Sequence, residues 1–156
     1  MIRIRRLDLE EAGVLKDFLY EAIFIPEGVE PPARDIVELP ELKIYYEDFG
    51  SGRADYALVA DDEGKIAGAV WVRIMNDYGH VDDETPSFAI SLYKEYRGKG
   101  IGTKLMNAML DLLREEEFAR ASLAVQKANY AVKMYEKVGF KTVDENEEEF
   151  IMACEL

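Results

Sequence analysis

Ser87-Phe88-Ala89-Ile90-Ser91-Leu92-Tyr93-Lys94-Glu95-Tyr96-Arg97-Gly98-Lys99-Gly100-Ile101-Gly102-Thr103 begins the stretch, running on to Leu113, whose reading decides the fold. The apolar run Phe88 to Leu92 reads as a strand, the glycines as a turn, and the spacing from Ile101 onward as a helix. Three glycines at alternate positions let the backbone approach a ligand and take dihedrals closed to other residues, so that successive N–H groups converge on an anion. The helix adds its unpaired N-terminal N–H groups and the positive end of its dipole. Lys94, Arg97, Lys99 and Lys104 face one acid, Glu95, a basic island in a chain of net charge −13. The stretch reads as a phosphate cradle, although the hexapeptide alone also fits a strand-to-helix turn that merely needs glycine. A dinucleotide G-x-G-x-x-G fails, because its third glycine falls on Thr103 or Leu105. A P-loop fails at Thr103 and again at Leu105, where Ser or Thr belongs.

The rest of the composition narrows the class. A chain of 156 residues, 49% hydrophobic and 33% charged, suits one globular domain over residues 1–156. No apolar run is long enough for a membrane span, and the N-terminal residues lack a signal-peptide core, so a cytoplasmic location is expected. The excess of 32 acids over 19 bases disfavours nucleic acid and anionic membranes as partners. One cysteine, Cys154, and one histidine, His80, leave no internal disulfide, no ligand set for a metal and no Ser-His triad.

Outward from the decisive stretch, Ile2 and Ile4 mark a first strand. Asp8 and Glu11 have the spacing of a capping box, which predicts a helix from Leu9 to Phe24. Pro26, Gly28, Pro31 and Pro32 make a stiff loop, and an irregular helical region spans Ala33 to Phe49, interrupted near Pro40. Tyr45, Tyr46 and Phe49 in it are core residues or the lining of a cleft. Tyr56 to Ala60 and Lys65 to Met75 read as a hairpin turning at Asp61 to Gly64, with Gly68 marking a bulge or a close approach. Asn76 to Pro86 is a polar connection. Beyond a helix from Ile101 to Glu117 come a strand at Ser122 to Gln126, a short helix capped by Asn129 and stopped by Gly139, and a terminal hairpin. The order β α α β β β α β α β β is mixed α/β, with helices flanking one sheet.

Two motifs then carry a resemblance. Arg97-x-x-Gly100-x-Gly102 resembles the R/Q-x-x-G-x-G/A pyrophosphate loop of the GNAT N-acetyltransferase superfamily, and 27 positions after Gly102 the run Asn129-x-Ala131-x-x-x-Tyr135-x-x-x-Gly139-Phe140 is similar to the family signature following its fifth strand. The likeness covers Tyr56 to Leu156 well, and Met1 to Phe49 in element order only. It implies a central, mostly antiparallel sheet of six to seven strands flanked by about four helices, the fourth and fifth strands splayed apart. Between them would lie the pantetheine arm of acetyl-CoA, pairing with the backbone of Ile90, Ser91 and Leu92. The pyrophosphate would sit on the N–H groups of Arg97, Gly98, Lys99, Gly100, Ile101, Gly102 and Thr103, with Asn129 and Tyr135 at the thioester end.

The chemistry implied is direct transfer of acetyl from acetyl-CoA, a co-substrate, to a primary amine. An amine of pKa about 10.4 is neutral in about one molecule per thousand at pH 7, so a base is required. Glu84, just before the fourth strand, is the first candidate, with Asp83 and His80 behind it, and a water chain can serve. Tyr135 resembles the family's general acid toward the departing thiolate. The backbone N–H near Ile90 suits the oxyanion. Glu27, Glu30 and Asp82 to Glu84 hint at a cationic acceptor, and homodimers are common in the family. A non-catalytic acyl-CoA-binding module is the alternative.

Overall fold

The computed structural model describes residues 1–156, with strands β1 (Ile2–Arg6), β2 (Tyr56–Asp62), β3 (Lys65–Arg73), β4 (Ser87–Leu92), β5 (Arg120–Gln126), β6 (Lys141–Glu145) and β7 (Glu149–Glu155). Its helices are α1 (Val14–Ala22), α2 (Pro40–Lys43), α3 (Ile101–Glu115) and α4 (Ala131–Val138). All seven strands join one sheet in the order β1-β2-β3-β4-β5-β7-β6. Every neighbouring pair is antiparallel except β4 and β5. The mixed α/β architecture is the one expected from the sequence.

Alternation along β3 divides the core. Val70 and Val72 point to the face covered by α3 and α4, where Leu105, Met106, Met109, Leu113, Phe140 and Met152 complete a large apolar cluster. Ala69 and Trp71 point to the other face, against Leu15, Phe18 and Leu19 of α1. Helix α3 follows directly from its sequence, since its apolar residues at helical spacing put seven of fifteen positions in the core.

Two local departures have physical causes. The helix expected from Leu9 breaks: Leu9–Glu11 form a 3-10 turn held by the Asp8–Glu11 capping box, and α1 starts only after Gly13. Glycine at that junction lowers helix propensity, and the Glu11 carboxylate accepts two bonds from the Arg5 guanidinium, at 2.9 and 3.0 Å, which ties the turn to β1. At Gly68 both sequence readings hold. The β2–β3 register slips between Ala60 and Asp61, and a Cβ on Gly68 would lie 2.1 Å from Leu92 Cδ2 and 2.9 Å from the Ser91 carbonyl oxygen.

Candidate active site

Gly98 and Gly100 adopt φ of +75° and +82°, left-handed values that favour glycine, with nothing within 4 Å of where a Cβ would stand. The loop therefore turns open backbone outward as it enters α3. The N–H groups of Gly98 through Thr103 donate to no group in the protein, and the first helical bond of α3 is Lys104 N–H to Gly100 C=O at 3.2 Å. Six consecutive unpaired donors thus stand at the positive end of a fifteen-residue helix, the arrangement that anion binding requires. Arg97 does not join it. Its N–H donates to Lys94 C=O, and its guanidinium donates to Leu92 C=O at 2.9 Å and to Glu21 of α1. Arg97 thus fastens the end of β4 to α1. A Cβ on Gly102 would stand 3.4 Å from Met134 Sδ of α4, an ordinary contact distance.

β4 and β5 share one registered pair, Ser87 and Ser122. Tyr93 N–H donates to Ala67 C=O, so by antiparallel alternation Ser91 and Ala89 also turn their backbone groups to β3, and Ile90 and Leu92 turn theirs to the β5 side. The backbone of Ser91 is therefore unavailable there, and its hydroxyl donates to Phe18 C=O at 2.6 Å. A cavity of about 260 Å³ lies between the two strands and passes from one face of the sheet to the other. Ile90, Val125, Asn129 and Tyr135 line it from the side of α4, and Leu19, Ile23, Phe24, Leu42 and Tyr45 from the side of α1 and α2. One carboxylate, that of Glu149 at the start of β7, is in its wall; it makes no hydrogen bond or ion pair within the protein, whereas Glu21 and Glu84 are each paired with an arginine.

Tyr135 is 9% exposed, its ring packed edge-on against Phe140. Its hydroxyl has no partner in the protein, yet no polar side-chain atom is sealed without one, so the hydroxyl opens to the cavity. Burial pushes the phenol up to about 12. Asn129 accepts Ala131 N–H at 2.9 Å and anchors the turn into α4, although the N-cap position itself falls on Tyr130 and not on Asn129 as the sequence suggested.

On the opposite face Tyr45 is fixed through its backbone. Trp71 Nε1 donates to Tyr45 C=O at 2.9 Å, and Arg73 donates to the carbonyls of Ile44 and Glu47 at 3.0 and 2.8 Å. Arg73 is itself held by both carboxylate oxygens of Asp55. The Tyr45 hydroxyl donates to Asp77 Oδ2 at 2.9 Å, and Ser87 Oγ donates to Asp77 Oδ1 at 3.0 Å. Burial pushes the Asp77 carboxyl up, opposed by these bonds, and pushes the Tyr45 phenol up as well.

The structure does not bring Glu84 to the cavity. Its side chain is 83% exposed and pairs with Arg53. Asp83 is also exposed, 3.4 Å from His80 Nε2, while His80 Nδ1 lies 2.9 Å from Met75 C=O. The connection carrying them folds back instead: Gly79 lies against Leu123 and Ala124 of β5, and its carbonyl accepts from Ser122 Oγ at 2.7 Å. Asp77 and Glu149 carried no signal in the sequence, one sitting in a polar loop and the other opening a terminal strand directly after an acidic turn. No group of three His, Cys, Asp or Glu side chains is arranged to hold a metal ion, and no helix is long and apolar enough to cross a membrane.

Residues 20–140 match the sequence profile of the "Acetyltransferase (GNAT) family". The chain is 37% identical over 86 residues to "Probable N-acetyltransferase camello" of Xenopus tropicalis, a match covering 53% of this chain and 37% of the frog protein. It is 31% identical over 110 residues to N-alpha-acetyltransferase 30 of Schizosaccharomyces pombe, covering 69% of this chain and 71% of the yeast protein. The fold is similar to that of PaiA N-acetyltransferase from Thermoplasma acidophilum, a structure in complex with coenzyme A, with TM-score 0.73 and 21% identity over 100% of this chain and 99% of that one. With the profile spanning both the glycine cradle and the Asn129–Tyr135 segment, the chain belongs to the acetyltransferase (GNAT) family.

Proposed function

We propose that the protein is an N-acetyltransferase that moves the acetyl group of acetyl-CoA directly to a primary amine. One observation carries this reading: the free N–H groups of Gly98 to Thr103 are followed, two residues back along the β5-facing edge of β4 from Leu92, by Ile90 in the wall of the cavity that Tyr135 lines. The cradle suits a pyrophosphate, and the open space at Gly98 and Gly100 leaves room for it. Lys99 and Lys104 add positive charge beside it. Ile90 and the N–H of Leu92, whose carbonyl already accepts from Arg97, offer backbone groups for the amides of the pantetheine arm, and the Ile90 N–H suits the carbonyl oxygen that gains charge during transfer.

A phenol near 12 stays protonated throughout the working range. Full proton transfer from it to a thiolate of pKa about 8.5 is uphill by roughly 5 kcal/mol. Tyr135 therefore acts as acid by donating a hydrogen bond to sulfur while the C–S bond breaks. On the far side, the aliphatic walls from Leu19, Ile23, Phe24 and Leu42, with the single carboxylate of Glu149, suit one ammonium group next to an apolar substituent. That favours a peptide α-amine beside an apolar side chain over a polyamine, whose further charges find no partner there.

Calorimetric titration with acetyl-CoA tests the reading. Wild type binds in the micromolar range, and Gly100→Asp, which puts a side chain and a negative charge at φ +82°, loses at least 100-fold in affinity. A folded wild type that does not bind overturns it.

A further inference from the structure

Given an acetyltransferase, the base is the missing part, because Glu84 stands away from the cavity. Tyr45 is in the cavity wall on the acceptor side, and its one hydroxyl hydrogen is committed to Asp77 Oδ2 at 2.9 Å. A phenol oxygen that donates in this way keeps its lone pairs for an incoming N–H. The other Asp77 oxygen is held by Ser87 Oγ, which lies 3.4 Å from Ser122 Oγ at the one registered pair between β4 and β5. The backbone of Tyr45 is pinned by Trp71 and its neighbours' carbonyls by Arg73. The hydroxyl is thus pre-positioned from three separate elements. We propose that Tyr45 and Asp77 form the proton-accepting pair of the transfer, Tyr45 as the catalytic group that touches the acceptor amine and Asp77 as the carboxylate that acts through it.

The step balances as follows. The arriving ammonium first gives one proton to solvent, and the neutral amine nitrogen then bonds to the thioester carbonyl carbon as the carbonyl electron pair moves onto oxygen; its surplus proton passes to Tyr45 Oη while the original Tyr45 proton passes to Asp77 Oδ2. The C–S bond breaks with its electron pair on sulfur, where Tyr135 donates a hydrogen bond and a solvent proton is then taken up. Asp77 returns its proton to water, and the pair is reset. Burial, by raising the proton affinity of Asp77, brings a carboxylate closer to the strength such a base needs. Glu149, also in the wall but held by no side-chain bond, serves as counter-ion to the arriving ammonium.

The test uses the full chain, acetyl-CoA and a peptide with a free α-amine beside an apolar side chain. Wild-type binding and turnover are read first, since their absence overturns the acetyltransferase reading itself. Asp77→Asn keeps the size of the side chain and an oxygen to accept from Tyr45, while the Ser87 hydroxyl turns to accept from the new amide N–H, so a structural role would survive it. The pair predicts instead that kcat falls at least 100-fold, with KM for the peptide and affinity for acetyl-CoA within about threefold of wild type. Tyr45→Phe gives a comparable fall, and the double variant falls no further than the worse single one, as for residues acting as a unit. Asp77→Asn retaining a third or more of kcat overturns the proposal. So does a 100-fold loss of kcat in Glu149→Gln alongside an unchanged Asp77→Asn. If Asp77→Asn does not fold, Tyr45→Phe decides, a retained kcat overturning the pair and a 100-fold loss supporting it.

Discussion

The two ends of the cavity are built differently. At the end proposed to take the acetyl donor, six unpaired N–H groups come from one unbroken loop and the first turn of α3, and the glycines that shape it are neighbours in sequence. At the end proposed to take the acceptor, Tyr45, Asp77 and Ser87 are 32 and 10 residues apart, and the Tyr45 backbone is held by Trp71 of β3. A local motif tolerates change elsewhere in the chain, whereas an assembled site depends on the strands that carry it. The donor end is therefore the portable part of the molecule, and the acceptor end is where a related chain with a different N-terminal half would differ.

The comparison can be sharpened by substitution. Tyr135→Phe removes the hydroxyl where the two ends meet and lowers kcat by about 10²–10³-fold in steady-state assays, the usual size for one lost hydrogen-bond donor to developing charge. Affinity for acetyl-CoA stays near wild type, and because the phenol lies at about 12, no alkaline loss of wild-type activity below about pH 11 traces to it. A large fall in affinity with little change in kcat would instead make Tyr135 a packing residue.

Arg73→Met strikes the assembled end. It breaks a pair whose side chains are 10% and 2% exposed and frees the carbonyls of Ile44 and Glu47. Stability falls by about 3–5 kcal/mol, read by urea denaturation. In the folded fraction the acceptor KM rises while acetyl-CoA affinity holds. Equal damage at both ends would show that they are not separable.

Smaller effects complete the series. Glu84→Gln changes kcat by less than about twofold, as for other exposed surface charges; a 100-fold loss would return the base to this loop. Gly102→Ala sets a methyl at ordinary contact distance from Met134, in a helix where alanine is intrinsically favoured. Thermal stability is unchanged or rises by up to about 1 kcal/mol, and acetyl-CoA affinity shows whether the absent side chain serves the ligand or only the helix packing.

The sequence by itself determined the elements whose information is local. The Phe88–Leu92 strand, the positive-φ glycines, the apolar stripe of α3 and the Asn129 turn into α4 each depend on residues a few positions apart, so periodicity and turn chemistry expose them. The same reading expected an anion cradle at the glycine loop, where the structure leaves six N–H groups unpaired, but not the diversion of Arg97 to Leu92 and Glu21, since a guanidinium on a loop does not announce its partner. Only the tertiary structure decided which acid of the polar connection faces Tyr45. Glu84 and Asp77 are both acids in one polar connection, and nothing in composition distinguishes them. What separates them is that the loop folds back over β5 at Gly79, which half-buries Asp77 between Tyr45 and Ser87 and leaves Glu84 outside with Arg53. A carboxylate's chemistry is set by its solvation and its partners, and those are properties of the packed chain.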